Sequence, residues 1–247
     1  MEFRIPHDID MNQQASWCPG CGHGIVCRLI AEAAEEIGES ENILTVDDVA
    51  CGQYAQYALK YNSMMGAHGR VVASAAGMKR ARPDALVIAR PGDGSAYSIG
   101  IESTLYCALR NENILCLVIN NSVFGMTGGQ MSPASMIGMK TATSPFGRDA
   151  ARNGNPLDIT KVLGQTDIAY LARVAVNSPA NIAKAKAAIK KALIKQRNGE
   201  GFCLVEVLAM CPTNWKTTPA GACDYIKNVQ SAAFPLGEYI DKGGKEE

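Results

Sequence analysis

Apolar residues follow two different patterns along the chain, and each pattern predicts one kind of element. Between residues 25 and 37 they recur every three or four positions, which is the spacing of one helical face, and Gly38 follows as a stop signal. A second helix is predicted from Ser178-Pro179, an N-cap followed by a proline at the first helical position, to about Arg197. A third helix is expected over residues 97–110.

Short, continuous apolar runs separate these helices and predict buried β-strands. The runs cover residues 43–46, 85–90, 114–119, 168–176 and 202–209. Strands without polar alternation, separated by helices, are typical of a parallel sheet that is covered on both faces. We therefore predict an α/β fold: a single domain with a mostly parallel sheet covered by helices on both faces.

Three segments fall outside this pattern. Residues 1–17 are expected to be an irregular lead-in, and residues 220–247 a C-terminal extension. Residues 130–160 are rich in turn-forming residues, and loops of that length in compact domains are usually functional.

Composition and charge exclude several classes of protein. Lys plus Arg and Asp plus Glu both number 24, so net charge gives no reason to expect a nucleic acid or a membrane surface as partner. The longest wholly apolar run, residues 114–119, is too short to cross a bilayer. The first fourteen residues contain acids and amides where a signal peptide needs an apolar core, so we expect a cytoplasmic protein.

Two polar motifs follow neighbouring strands of the predicted sheet. PGDGSAYSIG begins where the strand at 85–90 ends, and Asn120-Asn121 end the next strand, with 25 residues between Gly94 and Asn120. Ligands of open α/β sheets bind at this carboxyl edge. Gly92 and Gly94 would let backbone N–H groups approach a phosphate, and an Asp93 carboxylate with an asparagine amide oxygen suits Mg²⁺.

A simple turn and a polar strand exit are the alternative interpretation of the two motifs. Because both halves fall in phase on predicted strands, the pair favours a magnesium–diphosphate site. No GxGxxG motif is present, so a Rossmann nucleotide site is poorly supported.

The nine cysteines are an odd number in a chain without an evident secretory signal, so a disulfide framework is not expected. Cys18 and Cys21 in WCPGCGHG could be a redox dithiol, half of a metal site or neither. Cys51 and Cys211 each follow a predicted strand, which places them at the same edge as the polar motifs. Packing roles are expected for the cysteines inside predicted elements, namely Cys27, Cys107, Cys116 and Cys203.

Several motifs together identify a family. GDG followed about 25 residues later by NN resembles the thiamine diphosphate motif. With it, WCPGCGHG, AHGR (67–70), NNSVFGMTGGQMSP (120–133) and CPTNW (211–215) resemble the β subunit of the 2-oxoacid:ferredoxin oxidoreductases. The resemblance extends from about residue 15 to 220 and implies the pyrophosphate-domain fold of thiamine diphosphate enzymes. TSPFGRDAARNGNP and CPTNWKTTP are most similar to the 2-oxoisovalerate branch, although 2-oxoglutarate-type subunits are similar too.

The resemblance also implies which residues hold three cofactors. Mg²⁺ ligation is implied for Asp93, Asn121 and the backbone carbonyl of Val123. Thiamine diphosphate contacts are implied for Gly92, Gly94, Ser95, Gly125, Met126, Thr127 and His68. A [4Fe–4S] cluster is implied on Cys18, Cys21, Cys51 and Cys211, with Cys223 as the rival fourth ligand.

Some of these assignments have alternatives or depart from the family pattern. His68 is the one catalytic candidate in this chain, near the diphosphate or the reacting centre, but it could instead be an interior histidine bonded to backbone. Met126 could equally fill the core. Ser95 stands where the family commonly has a second acid, GDGD, and the sequence around Cys51 departs from the commoner GCSS pattern, so substrate contacts there do not transfer.

The implied reaction is the oxidative decarboxylation of a 2-oxoacid with coenzyme A to an acyl-CoA and CO2, with electrons passing through the cluster to ferredoxin. The family places the activating glutamate on a partner α subunit, so this chain alone should be inactive, and γ and δ subunits are expected as well. A branched-chain acid is favoured as substrate, and 2-oxoglutarate, giving succinyl-CoA, is the alternative. Two other hypotheses remain: a cluster-free thiamine diphosphate carboligase or decarboxylase, and a zinc-stabilised, non-catalytic binding module.

The predicted helix over 179–197 is rich in lysine, which would suit docking of an acidic ferredoxin. The plainer interpretation is a solvated helix face, and it is favoured.

Overall fold

A seven-stranded sheet forms the centre of the protein in a computed structural model, which describes residues 4–13 and 15–243. The nine strands are β1 (Ile43–Asp48), β2 (Asn62–Gly66), β3 (Leu86–Arg90), β4 (Leu115–Asn120), β5 (Val123–Phe124), β6 (Gln130–Met131), β7 (Tyr170–Ala175), β8 (Cys203–Leu208) and β9 (Gly237–Asp241). The order in the main sheet is β2-β1-β3-β4-β8-β7-β9, and β5 pairs with β6 separately. All neighbours in the main sheet are parallel except β9, which runs antiparallel to β7.

Helices connect these strands. The α-helices are α1 (His23–Ile37), α2 (Val71–Ala81), α3 (Ile101–Leu109), α4 (Ala150–Asn153), α5 (Ile159–Leu163), α6 (Pro179–Arg197), α7 (Pro212–Trp215), α8 (Pro219–Tyr225) and α9 (Ser231–Ala233). A 3₁₀ helix covers Cys51–Tyr57, and π-helical turns cover Ser95–Ile99 and Ile226–Gln230. No helix in the described part of the chain is long and apolar enough to cross a membrane.

Burial along the strands explains why the apolar runs predict them. Every residue of β3, β4, β7 and β8 is buried, because these strands lie inside the sheet and are covered on both sides. The edge strands β2 and β9 are mostly exposed. The predicted mostly parallel α/β sheet is confirmed.

The helices cover both faces of the sheet because of the order of the strands. The connections through α2 and α3 step across the sheet in one direction, while α6 connects β7 to β8 in the opposite direction. Since such crossovers are right-handed, α6 lies on the face opposite to α2 and α3. Helix α1 packs against α6, and Lys186 and Lys190 of α6 pair with Glu36 of α1 at 2.8 and 2.9 Å. These lysines are paired within the chain, which supports the solvated-face interpretation.

The predicted elements agree with the observed ones to within about two residues at most ends, but several elements were not predicted. Helix α2 has the sequence VVASAAGMKRA, whose small and polar residues give a weak apolar period, and β2 is an exposed edge strand. The long loop at 130–160 contains β6, α4 and α5. Of the predicted lead-in, residues 1–3 and 14 lie outside the described residues.

The predicted C-terminal extension, residues 220–247, contributes one strand to the main sheet. Strand β9 pairs with β7, and Lys191 of α6 pairs with Glu238 and Asp241 of β9, which anchors this edge. Residues 244–247 of the predicted extension lie outside the described residues. Pairing between residues so far apart in the chain is not visible in a local apolar pattern.

Candidate functional site

The GDG and NN motifs meet at the carboxyl edge of the sheet. Gly92 forms a parallel bridge with Ile119, so β3 and β4 carry the two motifs side by side. The backbone N–H of Asn121 donates to the carboxylate of Asp93 over 3.3 Å. The sheet thus brings together residues that lie 28 positions apart in sequence.

A strained turn orients the second asparagine. Ser122 has φ 59°, a left-handed conformation that residues other than glycine rarely adopt. The side-chain oxygen of Asn120 accepts from the Ser122 N–H at 3.0 Å, while its amide nitrogen donates to Glu206 at 2.8 Å. The side-chain oxygen of Asn121 accepts from the Val123 N–H at 3.3 Å. The turn is therefore held by the side chains of the two asparagines that precede Ser122.

Glu206 in β8 is a buried residue that supports this turn and that the sequence analysis missed. Besides Asn120 it accepts hydrogen bonds from the Tyr97 hydroxyl at 3.0 Å and from Arg173 at 2.5 Å, and Arg173 pairs with Asp158 at 2.6 Å. A single acid inside the otherwise apolar run FCLVEVLA is the sequence signal that could have indicated it. Buried charges of this kind are retained only when they are paired and hydrogen-bonded.

Asp93 is almost completely buried, with 1% of its surface exposed. Its carboxylate accepts from the Asn121 N–H and from the Ser132 hydroxyl, and no Lys or Arg of the described chain pairs with it. Burial raises the pKa of this carboxyl to about 7. A buried carboxylate without a positive partner is a donor that a divalent cation would stabilise, so Asp93 and the Asn121 amide fit the donor set expected for Mg²⁺.

The cleft in front of these motifs is narrow. Its lining includes most of the residues predicted to contact the cofactor and metal, namely His68, Gly92, Gly94, Ser95, Asn121, Val123 and Gly125. The free volume is about 30 Å³. The Phe124 ring lies against Gly94, where a Cβ would come within 2.4 Å of it, so only glycine fits at this position beside the ring.

Two predicted cofactor contacts lie outside this cleft. Met126 instead lines a neighbouring cavity, which also contains Cys18, Cys21, Cys51 and Cys211. Its sulfur accepts a hydrogen bond from the Gln53 amide at 3.7 Å. Thr127 lines neither cavity and hydrogen-bonds Gln130 at 2.6 Å.

Two further polar residues of the cleft were not singled out from the sequence. Asp48, at the end of β1, is fully buried and lies 3.1 Å from Nδ1 of His68, so that histidine is bonded to a carboxylate rather than to backbone. The ring of His23, in WCPGCGHG, stacks on that of Trp17 with 6.1 Å between the ring centroids. Its Nδ1 is buried with no hydrogen-bond partner among the described residues. The sequence signal for the first was two consecutive aspartates at a strand end, in VDDVAC.

The four cysteines predicted as cluster ligands line one cavity of about 200 Å³. They come from three separate places: Cys18 and Cys21 from the loop before α1, Cys51 from the 3₁₀ helix after β1, and Cys211 from the segment after β8. Cys223, the rival ligand, does not line this cavity. The ligands brought together are Cys18, Cys21, Cys51 and Cys211.

The electrostatics of the cavity suit a positively charged metal group. Burial, reinforced by the neighbouring sulfurs, raises the pKa of Cys21 to about 12 and that of Cys51 to about 11, and burial also raises that of Cys211. Thiolates are costly there unless a cation compensates them. Within the described residues, no group of three or more Cys, His, Asp or Glu side chains could hold a metal ion as they stand. The four cysteines nevertheless share one cavity, which is required of the ligands of a single metal group.

The cysteine cavity and the cleft are adjacent. Cys51, Asn121 and Gly125 line both. A Cβ on Gly125 would lie 3.4 Å from the sulfur of Cys51 and 3.4 Å from the amide nitrogen of Asn121, so a side chain there would crowd both sites. Asn214 joins them further, since its amide donates to the Gly125 carbonyl at 3.0 Å and to the Cys211 sulfur at 3.3 Å.

Comparisons with known proteins identify the family. Residues 48–207 match the family model of the thiamine pyrophosphate enzymes, C-terminal TPP binding domain. The chain is 39% identical over 232 residues to the ketoisovalerate oxidoreductase subunit VorA of Methanothermobacter thermautotrophicus, covering 94% of this chain and 49% of that subunit. It is 33% identical over 249 residues to the 2-oxoglutarate synthase subunit KorB of Methanocaldococcus jannaschii, covering 98% of this chain and 84% of that subunit.

A solved structure has the same fold. The 2-oxoglutarate:ferredoxin oxidoreductase from Magnetococcus marinus, with 2-oxoglutarate, coenzyme A and succinyl-CoA bound, superposes with a TM-score of 0.76 at 25% identity, covering 99% of this chain and 87% of that one. The chain spans about half the length of the ketoisovalerate oxidoreductase subunits that it matches. It belongs to the thiamine pyrophosphate enzymes, through their C-terminal TPP-binding domain, and within them to the β subunits of the 2-oxoacid:ferredoxin oxidoreductases.

Proposed function

We propose that this chain is the β subunit of a 2-oxoacid:ferredoxin oxidoreductase that converts a 2-oxoacid and coenzyme A to an acyl-CoA and CO2 and passes the electrons to ferredoxin. The observation that carries the proposal is the adjacency of the two cavities, with Cys51, Asn121 and Gly125 shared between them. Neither a cluster-free enzyme nor a zinc-binding module gives a reason for four cysteines to surround a cavity beside the GDG and NN motifs.

The residues present fit three resident groups. Asp93, Asn121 and the Val123 carbonyl would hold Mg²⁺, and the four cysteines of the cavity would hold a [4Fe–4S] cluster. When bound, thiamine diphosphate supplies the carbon nucleophile for decarboxylation and the cluster removes the electrons singly.

The remaining parts of this chain orient those groups. The buried acceptor Glu206 fixes the amide of Asn120, which in turn holds the strained turn at Ser122. Gly92 and Gly94 keep the backbone of the cleft free of side chains, and His68 faces it from the segment before α2. These contacts are made before any ligand binds, so they lower the cost of ordering the site.

An essential acid is expected from outside this chain. Both carboxylates near the cleft are engaged within the protein, Asp48 with His68 and Asp93 with Ser132 and Asn121. We propose that a partner α subunit supplies the activating glutamate and closes the site, that γ and δ subunits complete the assembly, and that this chain alone is inactive.

The degree of sequence identity favours a branched-chain substrate. The chain is 39% identical to the two ketoisovalerate oxidoreductase subunits VorA, but 35% and 33% identical to two 2-oxoglutarate synthase subunits KorB. We therefore favour 2-oxoisovalerate or a related branched-chain acid.

The cofactor content tests the proposed function. Anaerobic purification of the complex should give a brown protein with about four irons per β chain, together with acid-labile sulfide, magnesium and thiamine diphosphate. Magnesium and thiamine diphosphate without iron would instead indicate a cluster-free carboligase or decarboxylase. Zinc alone would indicate a binding module.

The substrate preference is tested separately on the assembled complex. Because the chain is more similar to the ketoisovalerate subunits, we expect kcat/KM for 2-oxoisovalerate to exceed that for 2-oxoglutarate by at least about tenfold, a difference of about 1.4 kcal/mol in transition-state binding. The measurement is coenzyme A-dependent reduction of ferredoxin with each acid at matched concentrations. A preference for 2-oxoglutarate would contradict the branched-chain assignment while leaving the reaction type intact.

A further inference from the structure

Asp48 connects three segments of the cleft through its carboxylate. It is fully buried at the carboxyl end of β1, and its Oδ1 lies 3.1 Å from Nδ1 of His68. Its Oδ2 lies 3.5 Å from the backbone N–H of Gly92 in the GDG motif. The Ser95 hydroxyl hydrogen-bonds the same carboxylate. Three segments that form the cleft therefore converge on one side chain.

The partners of Asp48 determine which groups must donate. The Gly92 N–H can only donate. The Ser95 oxygen already accepts from the Gly69 N–H at 3.0 Å, so its own hydrogen is free for the carboxylate. With two donors on it and, among the described residues, no basic side chain besides His68 bonded to it, Asp48 is the acceptor of this group. His68 then completes it by donating from Nδ1.

We propose that Asp48 is a positioning residue that holds His68 with its proton on Nδ1 and leaves Nε2 as a hydrogen-bond acceptor in the cleft. The His68 side chain is 27% exposed while the Asp48 side chain is fully buried, so the free nitrogen is on the accessible side of the pair. A histidine fixed in this way can accept a proton or a hydrogen bond from a bound molecule without first reorganising. The consequence for catalysis rests on the proposed function, but the geometry does not.

Asp48→Asn should reverse the tautomer. The Gly92 N–H needs an acceptor, so the amide oxygen takes the Oδ2 position and the amide nitrogen takes the Oδ1 position, facing His68. An amide nitrogen can only donate, which forces Nδ1 of His68 to accept and moves the proton to Nε2. A nearly isosteric substitution thus changes the direction of one hydrogen bond.

Nitrogen-15 NMR of the histidine rings tests the proposal directly on the full chain without cofactors. The chain has three histidines, and His68→Gln identifies the signal of interest. At about pH 8 we expect the ring proton of neutral His68 to lie on Nδ1 in the wild type and on Nε2 in Asp48→Asn. Asp47→Asn is the matched control: it is the adjacent buried acid of the same strand, but it bonds Arg90 at 2.9 Å and should leave the His68 tautomer unchanged.

A wild-type His68 protonated at Nε2, or an Asp48→Asn spectrum with the proton still on Nδ1, would overturn the proposal. If the variant does not fold, the wild-type spectrum alone still shows which ring nitrogen of His68 carries the proton. In the assembled complex, Asp48→Asn should lower kcat by roughly 10²–10⁴-fold with little change in KM. Since the NMR measurement needs no substrate or cofactor, failure of the tautomer prediction is distinguishable from failure of the proposed function.

Discussion

Asp93→Asn is expected to make the cofactor-free chain more stable and to prevent it from retaining thiamine diphosphate. Folding raises the pKa of the Asp93 carboxyl from 3.8 to about 7 by burial, so the folded state binds this proton more tightly than the unfolded state. The free energy of unfolding therefore falls as pH rises from about 4 to about 7. Asparagine removes that cost, so the variant's Tm at about pH 8 should exceed the wild type's by roughly 5–10 °C.

The same substitution removes the anionic magnesium ligand. We expect the affinity for thiamine diphosphate in the presence of Mg²⁺ to fall by more than about 100-fold, measured by calorimetric titration of the purified chain or complex. Asp84→Asn is the control, because Asp84 is an exposed acid that pairs with Arg82 far from the site, and it should change neither quantity. Normal cofactor retention by the Asp93 variant would show that the assigned ligand is wrong.

A rise in Tm together with a loss of affinity for thiamine diphosphate distinguishes the loss of a ligand from a loss of folding. A residue needed only for packing lowers both when it is replaced. A carboxylate kept in the interior at a cost to stability is typical of a site arranged for function.

Cys211→Ser is expected to remove most of the iron while the chain remains folded. Its sulfur lies in the cavity with the three other predicted ligands, and a hydroxyl is a poor ligand for an iron–sulfur cluster. Iron and sulfide analysis after anaerobic purification, together with the visible absorption of the cluster, measures the loss. Cofactor binding should stay close to the wild-type value, because Asp93 and Asn121 are untouched.

Cys223→Ser is the matched control for this variant. Cys223 follows Cys211 by twelve residues but lies outside the cavity, so its replacement should leave about four irons per chain. The opposite result, with iron lost only from the Cys223 variant, would make Cys223 the fourth ligand. Equal iron in both variants would contradict the assignment of either cysteine.

The parts of the fold that could be predicted are those whose signal is local. β3, β4, β7 and β8 are continuous apolar runs because they are buried on both faces, and α6 carries its own N-cap and proline. β9 and α2 could not be predicted in the same way. β9 is defined by pairing with β7 across more than sixty residues of chain, and α2 has too few large apolar residues to show a helical period.

The residues of the candidate site likewise include some that the sequence alone predicts and some that it does not. GDG, NN, Cys51 and Cys211 follow strands, so the chain order alone places them at one edge of a parallel sheet. Asp48 and Glu206 are visible in the sequence only as acids at or within a strand, because their roles depend on His68 and Asn120, which are distant in sequence. A side chain that acts through a partner on another strand is recognised only when both are seen together.

By itself, the amino-acid sequence determined the α/β class, the family and the types of ligand offered to metal and phosphate, because these depend on residue identity and short spacings. Only the tertiary structure decided that the cysteine cavity adjoins the cleft, that Cys223 lies outside it, and that Phe124 covers Gly94. Those facts depend on how side chains from separate strands and loops pack in three dimensions, where a shift of a few ångströms determines which groups meet.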